Sequence, residues 1–285
     1  MRASIVVPAH NEATVIGRTL RRLLQGAEPG ELEVVVVANG CTDDTAAVAR
    51  GAGSDVRVVE TETASKIAAL NLGDANAEGF PRIYLDADIA IDIDTVRKLV
   101  AALDEPHALA ASPTMRMDTI GRPWSVRAYY RVWMQLPYVT DSHLAGVIAL
   151  SRAGRSRFGA FPEVVGDDVF VRGQFAPDER RRLDSCSYVV QAPWSLRSLL
   201  RVKVRSFMGT IELSRRYPDV ASRARGRGGV RGRLRVLARQ PAMWPDLACY
   251  VGVWACARGV AVWKLRAGKQ PTWYRDETTR AGSPT

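Results

Sequence analysis

The sequence predicts an α/β fold, in which a mostly parallel sheet is flanked by helices and followed by a basic, helical C-terminal extension. Short runs of β-branched residues alternate with amphipathic segments through the first half of the chain, and Asn, Asp or Gly follows most of these runs. Strands that alternate with helices across short loops are typical of parallel sheets with helices on both faces. Beyond Ser195 the composition changes, because arginine and then tryptophan become frequent.

The predicted strands of the first half are residues 4–7, 33–38, 56–60 and 82–85, and a further strand is predicted at residues 161–165. Helices are predicted where apolar residues recur with helical spacing, as Ile16, Leu20 and Leu23 do. We expect further helices at residues 42–50, at residues 66–77, and up to residue 103 with Asp94 as the N-cap. Ligands bind at the carboxyl ends of the strands in such sheets, so the chemistry is expected in the loops that follow them.

The chain of 285 residues has 40 basic and 30 acidic side chains, which gives a formal net charge of +10. Such a surface attracts anions, including nucleic acid, lipid head groups and phosphorylated substrates. Its 4 cysteines are scattered without a CxxC pair, which argues against a zinc site or a disulfide framework and favours a reducing compartment. The N-terminal segment turns polar after a few apolar residues, which predicts a strand and not a signal peptide. No uninterrupted apolar run has the length of a membrane-spanning helix.

Four polar motifs follow predicted strands. They are Pro8-Ala9-His10-Asn11-Glu12, Asn39-Gly40-Cys41-Thr42-Asp43-Asp44, Asp86-Ala87-Asp88 and Gly166-Asp167-Asp168. One such motif is usually a turn, because Asn, Asp and Gly favour turns and helix caps. Four of them, in this order and each after a predicted strand, are better explained by a binding site along the carboxyl ends of the strands.

The motif Asp86-Ala87-Asp88 predicts a metal site. Two carboxylates one residue apart can face one ligand, and their oxygens suit a hard cation such as Mg²⁺ or Mn²⁺. Such a cation neutralises the charge that develops on a departing diphosphate. The sequence has neither a GxxxxGK[ST] loop nor a GxGxxG loop that would hold the phosphates instead. Asp92 and Asp94 are assigned to the N-terminus of the following helix.

Five segments, at residues 4–24, 34–50, 65–74, 84–92 and 163–175, carry a resemblance to a known family. In order and spacing they resemble the family 2 inverting glycosyltransferases with the GT-A fold, of the non-processive, actinobacterial type. The resemblance spans about residues 3–210. The Gln-x-x-Arg-Trp element of processive polysaccharide synthases is missing, and LRSLLRVKVRSF at residues 196–207 stands in its place. A processive cellulose- or hyaluronan-like synthase is therefore not expected.

This resemblance implies roles for the polar residues. The donor nucleotide and its phosphates would contact Pro8, His10, Asn11, Glu12, Asn39, Asp43, Asp44, Lys66, Asp86, Arg201 and Arg205. Asp88, together with Asp86, would bind a divalent cation, Mn²⁺ or Mg²⁺. The acidic pair that typically reads Glu-Asp in this family is Asp167-Asp168 here, and Asp168 would be the base that deprotonates the acceptor hydroxyl.

The chemistry of inversion leads to the same base. A single in-line displacement needs one carboxylate to take the hydroxyl proton, and it needs no covalent nucleophile. The alternative is that Asp167-Asp168 caps a helix at residues 169–175, and capping is compatible with catalysis. His143 and Gly146 are candidates for the acceptor side, with a structural role for His143 equally open. The aromatic residues between positions 124 and 138 can stack on sugar, but such a stripe more often belongs to a core.

We predict a GT-A domain at residues 1–210, with a nucleotide-sugar-binding half at 1–105 and an acceptor-binding half at 106–210, before a basic, Trp-rich segment at 211–285. The arginine-rich stretch at 223–239 fits a solvated linker, a nucleic-acid-binding segment or contact with an anionic membrane. Membrane contact is preferred, because Trp244, Trp254 and Trp263 follow and tryptophan is favoured at the lipid–water interface. Asp246 and Arg258 indicate a helix that lies in the interface without spanning the bilayer.

The sequence thus predicts a metal-assisted glycosyltransferase in the cytoplasm, held peripherally at the inner face of the cell membrane. Its donor would be a UDP- or GDP-linked sugar and its acceptor a small molecule, a glycan or a lipid-linked compound, and no nucleic-acid partner is expected. Two other classes stay open. A sugar-phosphate nucleotidyltransferase would need a Gly-rich basic loop where this chain has PAHNEA. A non-catalytic nucleotide-sugar-binding protein would not need Asp168.

Overall fold

The computed structural model describes residues 3–140, 144–224 and 229–269. Its strands are β1 (Ala3–Ala9), β2 (Leu32–Asn39), β3 (Val56–Thr61), β4 (Arg82–Leu85), β5 (Ala110–Asp118), β6 (Val147–Leu150) and β7 (Arg180–Gln191). Its helices are α1 (Ala13–Leu24), α2 (Thr45–Arg50), α3 (Lys66–Ala75), α4 (Ile93–Leu103), α5 (Trp124–Trp133), α6 (Pro137–Thr140), α7 (Arg152–Arg155), α8 (Asp167–Arg172), α9 (Leu196–Arg216), α10 (Pro218–Ala224), α11 (Val230–Ala238) and α12 (Trp244–Arg266).

The strands form one sheet in the order β3-β2-β1-β4-β6-β5-β7. The pairs β3–β2, β2–β1 and β1–β4 are parallel, whereas β6 is antiparallel to β4 and to β5. Every residue of β1, β2 and β4 is buried, as expected for strands covered on both faces. Val6 of β1 lies opposite Val35 of β2 and Tyr84 of β4, so the loops after these three strands emerge side by side. The predicted α/β class and mostly parallel sheet are confirmed.

The structure corrects three predictions of local structure. Residues 161–165 do not form a strand, although they lead into the acidic pair as predicted. The helix after them is α8, with Gly166 at its N-cap, so Asp167 and Asp168 lie in its first turn and do not cap a helix at 169–175. Asp92, and not Asp94, caps α4, because the Asp92 side chain accepts a hydrogen bond from Thr95 N at 3.0 Å. For α4 and α8, the backbone conformation selects a cap that residue preference alone does not distinguish.

The chain divides into two compact units. Unit 1 consists of residues 1–115, 144–163 and 174–189, and unit 2 consists of residues 116–143, 164–173 and 190–285. Each unit is built from separate stretches of the chain. The sequence-based division at residues 105 and 210 follows the expected functions, and it stays a prediction.

Three helices of unit 2, α5, α9 and α12, pack against one another. Tyr129 of α5 stacks on Tyr250 of α12, with ring centroids 5.2 Å apart. Asp246 of α12 accepts two hydrogen bonds of 2.6 Å from the guanidinium of Arg131 on α5. The Asp246 side chain is only 8% exposed, so this ion pair supplies the partner that a buried carboxylate needs.

The helix α12 has apolar residues on both of its faces, together with the buried Asp246 and the exposed Arg258. It buries a stripe from Asp246 to Ala261 against unit 2, and it exposes tryptophan and valine on the other side. Within the described ranges, no helix has both the length and the apolar character that crossing a bilayer requires.

Candidate active site

The loops after β1 and β2 are joined by hydrogen bonds of their polar residues. The Asn39 amide donates to Ala9 O at 2.9 Å, and His10 Nδ1 lies 2.6 Å from Asn39 O. Asn11 Oδ1 accepts from Thr42 N at 2.7 Å. Asn11 has a φ of 53°, in the left-handed region that asparagine adopts more readily than most residues. Two of the four motifs thus form one connected surface of unit 1.

Asp43 ties the same loops together from the side of α2. Its carboxylate accepts hydrogen bonds from Ala13 N at 3.2 Å and from Thr45 N at 3.0 Å. The Thr45 hydroxyl donates to Asp43 and accepts from Glu12 N at 2.7 Å. Glu12 is buried, whereas the neighbouring Asp44 is exposed. Asp43 and Asp44 are both exposed, and the carboxylate of Asp43 orders the loops through these hydrogen bonds.

A close backbone approach brings α3 to the same edge. Gly40 has a φ of +56°, and a Cβ at this position would lie 2.7 Å from Ala64 Cβ and 2.9 Å from Ala64 Cα. Only glycine therefore permits this contact. Ser65 then caps α3 by accepting from Ala68 N at 3.2 Å, and the first residue of the helix is Lys66.

Lys66 forms an ion pair with the first carboxylate of the Asp86-Ala87-Asp88 turn. Its Nζ lies 2.8 Å from Asp86 Oδ1, and the two side chains are 20% and 35% exposed. The turn is fixed by its backbone, because Ile89 N donates to Asp86 O at 3.0 Å and Ala87 O accepts from the Thr19 hydroxyl at 2.9 Å. Asp88 is exposed. The turn thus has the Asp86 carboxylate beside the Lys66 ammonium and the Asp88 carboxylate at the surface.

Gly146, the residue before β6, supports this turn. Its carbonyl accepts from Asp86 N at 2.9 Å. Its φ is +69°, and an added Cβ would overlap Ile89 and lie 3.3 Å from Tyr188 Cε2. The observed role of Gly146 is therefore to hold the backbone of Asp86, and its predicted contact with the acceptor stays a prediction. His143, the other acceptor candidate, lies outside the described residues.

A clamp formed by Asn71 holds the segment that leads toward the acidic pair. The Asn71 amide donates to Phe161 O at 3.0 Å and accepts from Phe161 N at 2.7 Å. The Phe161 ring packs edge-on against Tyr84, with centroids 5.0 Å apart. Asp74 accepts a hydrogen bond of 2.8 Å from the Tyr84 hydroxyl and forms an ion pair of 2.7 Å with Arg155. Burial, reinforced by the Asp74 charge, raises the pKa of Tyr84, so this tyrosine stays neutral.

Asp167 and Asp168 belong to unit 2, in the first turn of α8. Both are partly buried, and Asp168 Oδ1 accepts a hydrogen bond of 2.8 Å from Val169 N. Arg172 lies one turn further along the helix and is buried. Burial lowers the pKa of Arg172, while the nearby Asp168 charge acts in the opposite direction. The acidic pair is thus placed beside a guanidinium of its own helix.

The helix α9 of unit 2 carries the two arginines that the resemblance assigns to the diphosphate. Arg201 is exposed and Arg205 is partly buried, and their spacing of four residues puts them on one face of the helix. Further along, Gly209 lies directly against the carbonyl of Val165, where an added Cβ would overlap the oxygen. This contact anchors the backbone next to Gly166.

Eleven of the predicted site residues belong to unit 1 and four belong to unit 2. Those in unit 1 are Pro8, His10, Asn11, Glu12, Asn39, Asp43, Asp44, Lys66, Asp86, Asp88 and Gly146, and those in unit 2 are Asp167, Asp168, Arg201 and Arg205. Sequence reasoning missed Thr45, Asn71 and Gly209. These residues act on backbone that is distant in sequence. Thr45 and Asn71 lie within two of the five segments that carry the family resemblance, and Gly209 lies outside them.

The family profile of glycosyl transferase family 2 matches residues 4–159, which is more than half of the chain. The protein therefore belongs to glycosyl transferase family 2. Glycosyltransferase AglD from Haloferax volcanii is 32% identical to it over 108 residues, a match that covers 35% of this chain and 17% of that protein. The match thus spans less than a fifth of the length of this relative.

Solved structures support the GT-A fold. The mannosyltransferase PcManGT from Pyrobaculum calidifontis, solved with GDP-Man and Mn²⁺, is similar with a TM-score of 0.61 and 22% identity over 94% of this chain and 76% of that one. The glucosyl-3-phosphoglycerate synthase of Mycobacterium tuberculosis is similar with a TM-score of 0.51 and 20% identity, over 66% and 70% of the two chains. At these identities the likeness concerns the fold.

Proposed function

We propose that this protein transfers a sugar from a nucleotide-diphosphate sugar to a hydroxyl of its acceptor, with inversion at the anomeric carbon. The observation that carries the proposal is the ion pair of Lys66 with Asp86 at the carboxyl end of β4, with Asp88 exposed two residues further on. The loops of β1 and β2, which emerge beside β4, supply the polar groups of a nucleotide subsite at the edge where parallel sheets bind nucleotides. UDP- and GDP-linked sugars are both candidate donors, since the similar structures include a GDP-Man complex and a UDP complex.

A divalent cation, Mg²⁺ or Mn²⁺, fits this donor subsite. Asp86 and Asp88 supply the carboxylate oxygens that such cations prefer, and Mg²⁺ is usually held by one or two carboxylates together with substrate phosphates. Among the described residues, no group of three His, Cys, Asp or Glu side chains could hold a metal without further ligands. The cation would therefore share its coordination with the donor, and when bound it would offset negative charge on the diphosphate.

Each residue then has a distinct task in the transfer. Lys66 keeps Asp86 in place by the 2.8 Å ion pair and adds positive charge near the diphosphate. The acceptor oxygen attacks the anomeric carbon as the bond to the diphosphate breaks, and Asp168 takes the hydroxyl proton. Arg201 and Arg205 provide charge for the departing diphosphate from α9. This reaction needs no covalent intermediate, so one carboxylate base is sufficient.

A pair of amide substitutions tests the base. Asp168→Asn keeps the shape of the side chain and removes its basicity, so transfer should fall by about 10²-fold or more while donor affinity persists. Asp167→Asn is the matched control, because it changes the adjacent residue of the same helical turn. Turnover is measured beside donor affinity by calorimetry. If Asp167→Asn is inactive and Asp168→Asn is active, the assignment is wrong by one residue.

The metal ligand is tested separately. Asp88→Ala should abolish metal-dependent nucleotide release from UDP- and GDP-linked sugars and leave the circular dichroism spectrum unchanged, because Asp88 is exposed. Asp94→Ala is the matched control, since Asp94 is an exposed acid at the start of α4. Undiminished activity of Asp88→Ala, or of the wild type in excess EDTA, would overturn this assignment.

We also infer a peripheral location at an anionic membrane surface. Trp263 and Val251 on α12 are 62% and 50% exposed, and the one acidic residue of this helix, Asp246, is buried in its pair with Arg131. The neighbouring α11 adds exposed Arg231 and Arg235. An apolar helical face beside basic side chains suits the interface of an anionic bilayer, where each basic residue contributes about 1 kcal/mol.

Vesicle co-sedimentation tests this location. Binding to anionic phosphatidylglycerol vesicles should weaken but persist as salt rises, since salt screens the arginines and not the apolar contact. The double substitution of Val251 and Trp263 by Ser should reduce pelleting strongly. Ile120→Ser is the matched control, because Ile120 is 83% exposed and lies outside α12. Equal pelleting of all variants, or a change in oligomeric state in its place, would contradict the membrane assignment.

A further inference from the structure

Lys203 lies on the apolar side of α9 among aromatic rings. Its ammonium nitrogen is 4.4 Å from the centroid of the Trp133 ring, 5.1 Å from that of Tyr129 and 5.3 Å from that of Tyr130. All three rings belong to α5, and the lysine is partly buried. It lies four residues after Leu199, which is fully buried, so a cation occupies a position of the helix where an apolar side chain is expected.

No carboxylate in residues 3–140, 144–224 or 229–269 forms an ion pair with Lys203. Two other buried charged groups of unit 2, by contrast, have hydrogen-bond partners of their own. Asp246 has two hydrogen bonds from Arg131, and Arg122 donates to Ala192 O at 2.7 Å and to Gln191 Oε1 at 3.0 Å. Aromatic faces attract an ammonium but are weak hydrogen-bond acceptors. The N–H groups of Lys203 can therefore donate to oxygen atoms of a ligand.

Lys203 faces away from the two arginines assigned to the donor. Arg201 and Arg205 are each two residues from Lys203, and residues two apart in a helix point in nearly opposite directions. Of the charged side chains around Lys203, Arg205, which has the same sign, contributes to lowering its pKa. An anion at Lys203 would therefore occupy a different subsite from the donor diphosphate.

We propose that Lys203, with the rings of Tyr129, Tyr130 and Trp133, binds a phosphate group of the acceptor, so that the acceptor of this transferase is a phosphorylated compound. A phosphate ester supplies several acceptor oxygens and one to two negative charges, which matches the three donors of an ammonium. The rings offer apolar surface to the part of the acceptor next to its phosphate. The inference rests on the proposed transferase function for the identity of the ligand, and not for the existence of the anion subsite.

The lowered pKa of Lys203 agrees with a position that has no carboxylate of the described residues beside it. Burial, with a smaller contribution from Arg205, lowers the pKa of Lys203 to about 7. Tyr129 and Tyr130 on α5 are titratable residues whose rings lie against the ammonium, and burial raises the pKa of Tyr129, so this tyrosine stays neutral. Binding of an anion favours the charged ammonium, so a bound phosphate should raise the pKa of Lys203.

The first experiment measures this pKa directly. The chain has few lysines (Lys66, Lys98, Lys203, Lys264 and Lys269), so reductive ¹³C-methylation gives a spectrum in which each can be resolved. Lys203→Arg identifies the signal. The Lys203 signal of the full-length protein should titrate near pH 7, and saturating phosphate should raise its pKa by about one unit or more. An unchanged pKa with inorganic phosphate, glycerol 3-phosphate and citronellyl phosphate would overturn the proposal.

The second experiment measures binding by calorimetry. Lys203→Met should weaken binding of the phosphate compounds by about tenfold or more, as expected for loss of a charge-assisted hydrogen bond. Lys264→Met, in the same unit, should bind like the wild type, and citronellol should not compete. Tighter binding of citronellyl phosphate than of glycerol 3-phosphate identifies a lipid-linked acceptor, and equal binding identifies a soluble phosphate ester. Wild-type affinity in Lys203→Met would refute the subsite.

The two proposals fail in different ways. Donor affinity should be the same in Lys203→Met and in the wild type, because Arg201 and Arg205 lie on the other face of α9. If Asp168→Asn retains full transfer while phosphate still raises the pKa of Lys203, the assigned base is wrong and the anion subsite stands. If phosphate does not act on Lys203 while Asp168→Asn is inactive, the anion subsite is wrong and the transferase stands.

Discussion

The contact of Gly209 with the backbone next to the acidic pair makes a sharp prediction about α9. In Gly209→Ala the new methyl group would overlap Val165 O and lie 2.7 Å from Val165 C and 3.3 Å from Val165 Cβ. Backbone cannot move out of the way as a flexible side chain can. Either α9 or the Val165-Gly166 segment must shift, and Gly166, with its φ of +135°, leads directly into Asp167 and Asp168.

The magnitude follows from two effects of opposite sign. Overpacking of this kind costs about 1–3 kcal/mol, against a gain of roughly 0.5–1 kcal/mol from replacing glycine by alanine within a helix. We expect a net loss of stability of about 1–2 kcal/mol. A displacement on the order of 1 Å at the acidic pair would lower transfer by roughly 10²-fold, because the base must lie within hydrogen-bond reach of the acceptor hydroxyl.

Gly252→Ala is the matched control, because Gly252 lies within α12 and an added Cβ meets nothing within 4 Å. It should stabilise the protein by roughly 0.5–1 kcal/mol and leave kcat unchanged. Chemical denaturation and steady-state turnover are measured for both variants, with donor affinity by calorimetry. The reasoning is refuted if Gly209→Ala is as stable and as active as Gly252→Ala, since the close backbone contact would then not exist in solution.

Three further predictions concern charged side chains. Lys203→Met should stabilise the protein at pH 6 by about 2 kcal/mol or more, because the pKa of this lysine is about 7 in the folded protein against an ordinary value of 10.5. The stability of the wild type rises between these two pH values, so the advantage of Lys203→Met should disappear above pH 10.5. Thermal unfolding measured as a function of pH checks this. Arg131→Ala should lower the free energy of unfolding by about 3 kcal/mol, because it leaves the Asp246 carboxylate, which is 8% exposed, without its partner. Asp246→Asn should lower it distinctly less, because it leaves Arg131, which is 49% exposed. Equal losses of stability in urea denaturation would contradict this account. Lys66→Met should weaken donor binding by roughly tenfold in calorimetry, whereas Lys98→Met, on the exposed side of α4, should have no effect. Equal donor affinities of the two variants would exclude Lys66 from the donor subsite.

The order of strands and helices could be predicted from the sequence, because it depends on local periodicity. The runs of β-branched residues in β1 and β2 and the apolar face of α1 are present in the sequence itself, and each is buried as expected. The position of the polar motifs after strands followed from the same patterns. The Asp-x-Asp pattern singled out Asp86 and the family resemblance singled out Lys66, before their 2.8 Å ion pair was seen.

Caps and irregular segments could not be predicted in this way. Asp92 and Asp94 are both good N-cap residues, and the choice depends on which backbone adopts the extended conformation before α4. Residues 161–165 read as a strand because they are apolar, yet no neighbouring strand pairs with them in the described sheet, and Asn71 holds Phe161 in another way. An apolar sequence specifies burial, and the tertiary partner specifies the conformation.

By itself, the sequence determined the family, the α/β class and the residue types at the ends of the strands, because these features are written in local spacing. Only the tertiary structure decided that Asp43 orders two loops, that Gly146 holds the backbone of Asp86, and that Lys203 lies among three aromatic rings. Each of these depends on groups far apart in the chain, whose meeting is set by packing and hydrogen bonding in the folded protein. The spacing of neighbouring residues in the sequence does not show which distant groups will meet.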